Sequence, residues 1–134
     1  LACLSAVSHA ENVLKNPSFE LSAKGLPSGW TWRPDRAHGA VRIDTARARS
    51  GKASIRITNT APKAPHVHSQ ITQTVRVQSG DTYTVSCYVW TQDAGTVWIG
   101  AGKKWQFRFP FPRKTKDWQR VTGTFEADAD TVTI

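Results

Sequence analysis

Cysteine, acidic side chains and long apolar runs are all scarce in this sequence of 134 residues. No apolar run approaches the roughly 20 residues that a membrane-spanning helix needs, so we expect no membrane partner. The composition is 39% hydrophobic and 21% charged, which excludes a disordered tail and is typical of a globular protein. A chain of this length has room for one domain with a single core.

The two cysteines, Cys3 and Cys87, lie in different settings. Residues 1–10 carry no Lys, Arg, Asp or Glu and end in Ser8-His9-Ala10. A small-x-small triplet after an apolar stretch is what signal peptidase recognises, so we predict that residues 1–10 are the end of a signal peptide. An exposed tail and a lipoprotein acylated at Cys3 are the alternatives. We therefore expect a secreted or extracellular protein, with the periplasm as another location.

Removal of this leader leaves Cys87 alone, so no internal disulfide can form. Alternation within Tyr83-Thr-Val-Ser-Cys-Tyr-Val-Trp90 places Cys87 on the same side as Val85 and Val89. We predict a buried, unreactive thiol.

Acidic residues number ten against eighteen basic ones, and the formal net charge is +8. A field of that sign attracts polyanions. The excess can reflect no more than a basic surface, or it can serve an acidic glycan. Nucleic acid is a third option, but the chain has no arginine-rich helix or zinc-finger spacing, and we expect no nucleic-acid partner.

Apolar residues alternate with polar ones in short segments bounded by Gly, Pro, Asn and Asp. This pattern predicts an all-β protein, an antiparallel β-sandwich of jelly-roll topology. The predicted strands are residues 12–14 with 18–20, 40–44, 53–58, 70–77, 82–90, 96–101, 105–109, 119–125 and 131–134. Because the last segment still alternates at Ile134, we expect the sandwich to lack its final strand.

Alternation also assigns faces to the strands. The inward-facing residues are Val41, Ile43, Ile55, Ile57, Val75, Val77, Val85, Cys87, Val89, Val97, Ile99, Val121 and Phe125. The large residues left facing outward are Arg42, Arg56, Arg76, Tyr88, Trp90 and Trp98.

Catalytic patterns are missing. The acidic residues fall mainly at turns, without the carboxyl pair of a glycosidase, and there is no Gly-x-Ser-x-Gly motif. His66 and His68 lie on one side of a segment as half of a metal site, which nothing obvious completes. We therefore predict that the chain is not an enzyme.

Six tryptophans exceed what a core of this size requires. Aromatic rings stack on the apolar C–H face of a sugar, so outward rings suggest a glycan surface. Trp30 and Trp118 are interpreted as core residues. The candidate carbohydrate-binding residues are Trp32, Arg76, Tyr88, Trp90, Trp98 and Trp105. Trp105 can instead belong to an inward face together with Phe107, Phe109 and Phe111.

Five short segments occur in a characteristic order along the sequence. They are Asn16-Pro-Ser-Phe-Glu20, Gly29-Trp30, Ser50-Gly-Lys-Ala-Ser-Ile-Arg56, Gln73-Thr-Val-Arg-Val77 before Gly80-Asp-Thr-Tyr83, and Trp118 ahead of Gly123-Thr-Phe125. Their order and spacing over residues 12–134 resemble the carbohydrate-binding modules of families four, nine and twenty-two.

The resemblance implies a jelly roll whose concave sheet binds a glycan chain through residues matching Arg76, Tyr88 and Trp90. It implies fusion to a glycoside hydrolase or polysaccharide lyase, and a structural calcium for which Glu20 is the plausible carboxylate. We predict that residues 11–134 form a monomeric, non-catalytic polysaccharide-binding module. The alternatives are a spacer sandwich in a larger exported protein, its aromatics packed on a neighbouring domain, and a small enzyme.

Overall fold

The structure is a computed structural model that describes residues 11–33, 38–60 and 69–134. The predicted signal-peptide segment lies outside the described residues, as do His66 and His68. Within the described ranges no helix has the length and apolar character needed to cross a bilayer.

The described residues form twelve strands and one 3-10 turn, Lys103–Trp105. The strands are β1 (Ser22–Ala23), β2 (Leu26–Pro27), β3 (Thr31–Arg33), β4 (Gly39–Asp44), β5 (Ser54–Asn59), β6 (Gln70–Thr72), β7 (Thr74–Arg76), β8 (Thr82–Ala94), β9 (Trp98–Ala101), β10 (Phe107–Pro110), β11 (Lys114–Glu126) and β12 (Thr131–Thr133). Every strand pair is antiparallel, which confirms the all-β prediction.

The strand pairs are nested. Along the sequence, the hairpin β4–β5 is inserted between the paired strands β3 and β6. The hairpin β9–β10 is likewise inserted between the paired strands β8 and β11, which are themselves inserted between the paired strands β7 and β12. The Gly102 amide donates a hydrogen bond to the Thr133 carbonyl at 3.1 Å, joining the ends of β9 and β12. One layer therefore contains β7, β12, β9 and β10, and the pair β8–β11 faces it.

The core lies between these two layers. Its buried members are Val75, Val85, Ala101, Phe125 and Val132. The layers approach closely at Gly123 of β11, because a Cβ atom at this position would collide with the ring of Phe109 of β10. Contacts of this kind between inner faces define a β-sandwich, as predicted.

A buried glutamine interrupts the strand predicted over residues 70–77. Gln73 is 6% exposed. Its side chain accepts a hydrogen bond from the Lys15 amide at 2.6 Å and donates to the Lys15 and Gly29 carbonyls, both at 2.9 Å. Its backbone exchanges two hydrogen bonds with Ile134, both 2.9 Å long. Gln73 thus ties the N-terminal segment and the end of the described chain to the sandwich.

The strands predicted over residues 12–14 and 18–20 are wrong. Asn16 and Phe19 adopt positive φ angles of 47° and 62°, which end any extended run. The Asn16 side chain holds the loop by donating to the Leu21 and Ser28 carbonyls at 2.7 and 3.0 Å. Asparagine tolerates this backbone conformation and supplies the hydrogen bonds that a turn needs.

Two residues assigned to the core are exposed. Ile57 is 44% exposed and Val97 is 42% exposed. Alternation finds the side of a strand that a residue occupies but not whether another layer covers it. Val97 also precedes β9, and its carbonyl accepts a hydrogen bond from the Phe111 amide at 2.8 Å.

Candidate functional site

Tyr88 and Trp90 lie side by side on the outer face of β8. They alternate with Cys87 and Val89, which face the interior. Tyr88 is 49% exposed and Trp90 is half-buried. In the register of β8 with β11, Tyr88 lies opposite Arg120, an exposed residue. The parity predicted from the sequence therefore holds for both rings.

Two arginines from the connection between β4 and β5 cover these rings. The guanidinium carbon of Arg47 lies 3.6 Å from the centre of the Trp90 ring, and that of Arg49 lies 4.6 Å from the Tyr88 ring. Arginines two residues apart thus stack on aromatics two residues apart. Neither arginine was a predicted site residue, because residues 45–52 have no strand pattern. We call Arg47, Arg49, Tyr88, Trp90 and Arg120 the arginine-aromatic surface.

The guanidinium groups of this surface form no salt bridge with the described residues. Arg56 forms a salt bridge with Asp44 at 3.7 Å, whereas the described ranges contain no salt bridge to Arg47, Arg49 or Arg120. A guanidinium that stacks on an aromatic ring through its face keeps its N–H edge available to acceptors. The surface can therefore donate paired hydrogen bonds to carboxylate or sulfate groups.

A β-bulge shapes β11 next to Trp90. Val89 pairs with Gln119 and Thr91 pairs with Lys116, so Asp117 and Trp118 together oppose the single residue Trp90. A bulge of this kind twists the strand and redirects side chains.

A second group of aromatics lies on β9 and in the 3-10 turn that precedes β10. The ring centres of Trp98 and Trp105 are 5.9 Å apart, with 57° between the ring planes. Arg108 lies 5.1 Å above the Trp98 ring, and its Nε donates to the Trp105 carbonyl at 3.0 Å. Both indoles are half-buried. We call Trp98, Trp105 and Arg108 the tryptophan-pair surface.

The structure does not bring all the predicted site residues together. Tyr88 and Trp90 form one surface, and Trp98 and Trp105 form the other, because β9 pairs with β10 and not with β8. Arg76 is exposed on β7, opposite Thr131, in the layer that contains β9.

Trp30 lies directly before β3, and Trp32 lies on it. Trp32 is half-buried on β3, and its indole nitrogen is buried without a hydrogen-bond partner in the described part of the chain. Trp30 packs against Phe19 with ring centres 5.2 Å apart and donates to the Asn16 carbonyl at 3.2 Å. Trp30 thus holds the N-terminal loop, consistent with the core role predicted for it.

Glu20 stabilises the turn between β4 and β5. Its Oε1 accepts hydrogen bonds from the Lys52 amide at 2.9 Å and the Ala53 amide at 3.3 Å. A side chain at Gly51 would collide with this carboxylate. No cluster of three His, Cys, Asp or Glu side chains suited to a metal occurs among the described residues. Calcium binding at Glu20 stays a prediction.

Cys87 occupies the inner face of β8, as expected. Burial raises the pKa of its thiol from 9.0 to about 11. The thiol is therefore protonated at neutral pH, and a nucleophilic role is disfavoured.

Comparison with known families agrees with this picture. The model of a family described as a carbohydrate binding domain matches residues 11–134. No curated protein matches the chain.

Proposed function

The chain belongs to this family of carbohydrate-binding domains, and we propose that it binds an anionic polysaccharide through the arginine-aromatic surface. Binding, and not catalysis, is the role: such modules generally have no catalytic activity of their own.

The arginines stacked on Tyr88 and Trp90, which form no salt bridge with the described residues, carry the proposal. Arg47 lies 3.6 Å from the Trp90 ring centre, where a neutral sugar would otherwise stack. A sugar approaching this ring face therefore meets a guanidinium before it meets the indole. In this arrangement Trp90 and Tyr88 position the arginines, and the arginines bind the charged groups of the glycan. The part of Tyr88 that remains exposed still offers a surface to sugar C–H groups.

The spacing of the arginines suits a polymer. Tyr88 and Trp90 are two residues apart on a strand, a separation of about 6.5 Å, and the arginines stacked on them are separated to a similar degree. Two cationic centres at such a distance bind successive anionic groups of one chain better than a single charged sugar. Because these side chains are exposed, added salt is expected to weaken the interaction.

The first test is native gel electrophoresis through gels that contain polygalacturonate or its methyl-esterified form. The esterified polymer keeps the backbone and loses the charge. With a sequence pI near 10.0, the protein migrates towards the cathode in a neutral gel. We expect retardation by polygalacturonate, less retardation by the ester, and a several-fold loss of affinity in Arg47→Gln and Arg49→Gln.

Arg113→Gln is the matched control, because it removes the same charge from a side chain that donates to Thr96 at 3.3 Å. Equal retardation of Arg47→Gln and Arg113→Gln would mean that net charge alone drives the interaction. No retardation of the wild-type protein by polygalacturonate, alginate, carboxymethylcellulose or dextran sulfate would overturn the proposed function.

The cellular context is part of the same proposal. We propose a secreted domain attached to a glycoside hydrolase or a polysaccharide lyase, supported by the small-x-small triplet that ends at Ala10 and by the family. The next segment of the open reading frame tests this: a catalytic domain supports it, and an array of sandwiches favours the spacer role.

A further inference from the structure

The tryptophan-pair surface is held rigidly. A Cβ atom at Gly100 would lie 2.5 Å from the Trp98 ring and 2.7 Å from the Trp105 ring, so both indoles rest on the glycine backbone. The hydrogen bond from Arg108 to the Trp105 carbonyl fixes the guanidinium beside Trp98. Rings and donors ordered before binding lose little conformational entropy when a ligand arrives.

This surface lies on the opposite side of the sandwich from the arginine-aromatic surface. Phe109 of β10 and Gly123 of β11 face each other across the core. Because side chains alternate along a strand, the even-numbered residues of β10 and of β11 point outward, on opposite sides of the domain. Arg108 is an outward residue of β10, and Arg120, which is paired with Tyr88, is an outward residue of β11. Packed sheets are about 10 Å apart, and the two surfaces are therefore separated by the full thickness of the domain.

The two surfaces share the same chemistry. Each has two aromatic rings and at least one arginine stacked on a ring. Lys103 and Lys104, both exposed, precede Trp105. The described ranges contain no salt bridge to these lysines or to Arg108. The nearby carboxylate of Asp128 accepts a hydrogen bond from Gln106 at 3.3 Å. The second surface therefore also has the charge to bind an anionic polymer.

We propose that this domain is bivalent: it binds two anionic polysaccharide chains, one on each outer face, and cross-links them. This inference rests on the proposed function, because it assigns the same ligand class to the second surface. A bivalent domain converts weak single-surface binding into avidity on a dense polymer matrix.

Light scattering from polygalacturonate solutions tests the proposal. Cross-linking by a bivalent protein gives scattering that rises with protein concentration and falls again once excess protein occupies every chain singly. We expect this maximum for the wild-type protein and its loss in Arg108→Gln and in Arg47→Gln. Each variant should still be retarded in the polygalacturonate gel, and calorimetry should show that binding at one of the two surfaces is weakened several-fold.

Controls separate bivalency from other causes. Arg113→Gln has the same net charge as Arg108→Gln and should keep the scattering maximum. Sedimentation of the protein without polymer must give a monomer, since a dimer would cross-link through a single surface. Arg108→Gln is used before Trp98→Ala because it leaves the indoles over Gly100 in place, and thermal melts verify that both variants fold.

The outcomes are distinct. If wild-type protein is retarded but Arg108→Gln scatters and binds as wild type does, the second surface does not bind and the domain is monovalent. If the wild-type protein is not retarded by any acidic polymer, the proposed function fails first, and bivalency fails with it.

Discussion

Substitution of the buried Gln73 offers the sharpest test of how the sandwich is closed. Gln73→Glu keeps the shape of the side chain and its acceptor for the Lys15 amide, but it removes the donors to the Lys15 and Gly29 carbonyls. A partly buried acceptor left without its partner costs about 1 to 1.5 kcal/mol, so the two carbonyls together cost about 2 to 3 kcal/mol. Repulsion between the carboxylate and the carbonyls adds to this at neutral pH. The melting temperature should therefore fall by roughly 10 °C or more.

The pH dependence of this variant supplies a second measurement. The two carbonyls disfavour the charged form, so the pKa of the introduced carboxyl in the folded protein lies above its unfolded value of about 4.3. The stability of the variant relative to wild type is therefore greatest below about pH 4 and is lost as the pH rises through the folded pKa.

Urea unfolding followed by tryptophan fluorescence at pH 4 and pH 7 measures both effects. Gln78→Glu, the same change at an exposed position, is the control and should stay within about 0.5 kcal/mol of wild type. If Gln73→Glu matches this control at both pH values, the hydrogen bonds of Gln73 do not stabilise the fold and the reasoning is refuted.

Three further predictions concern the interior and the turn below the arginines. At pH 8 the thiolate fraction of Cys87 in native protein should be about 100-fold lower than in urea, because burial raises the pKa of the thiol from 9.0 to about 11. A disulfide exchange reagent should therefore react with native protein about 100-fold more slowly than with unfolded protein. Equal rates would contradict the burial of the thiol. Gly123→Ala should cost about 1 to 3 kcal/mol in chemical denaturation because the new methyl collides with Phe109, whereas Gly95→Ala, which meets open space, should cost far less. Glu20→Ala should speed amide hydrogen exchange in the turn at residues 51–53, because Glu20 accepts hydrogen bonds from this turn. It should also weaken glycan binding, because Arg47 and Arg49 belong to the same connection. Unchanged exchange would show that the carboxylate does not hold the turn.

Local pattern was sufficient to predict the faces of β8. Side chains alternate along any strand, so Val85 and Cys87 turn inward and Tyr88 outward whatever the partner strand is. The same argument did not predict which strands pair. Trp90 and Trp98 occur in consecutive strands, yet β8 pairs with β11 across an intervening hairpin, and the two indoles lie on different surfaces. Strand pairing depends on contacts between residues distant in sequence, and the alternation of side chains within one strand carries no information about them.

Arg47 and Arg49 were missed for a related reason. They belong to an irregular connection that is held by a distant carboxylate, since Glu20 accepts a hydrogen bond from the amide of Lys52, 32 residues further along the chain. Only the coincidence of two arginines and two aromatics at the same spacing hinted at a match, and that coincidence has no meaning until the loop is known to lie on β8.

The stacked arginines also determine how strongly ligand charge should matter. An exposed cation–π contact is worth about 0.5 to 1 kcal/mol, so displacing Arg47 from Trp90 to admit a neutral sugar costs at most about that much. This corresponds to a factor of roughly two to five in affinity and does not by itself exclude neutral glycans. An anionic polymer avoids this cost and gains a charge-assisted hydrogen bond of about 1.5 to 3 kcal/mol at each arginine it reaches, before screening. The ordering of ligands therefore follows from the arginines, and the rings contribute mainly by holding them in place.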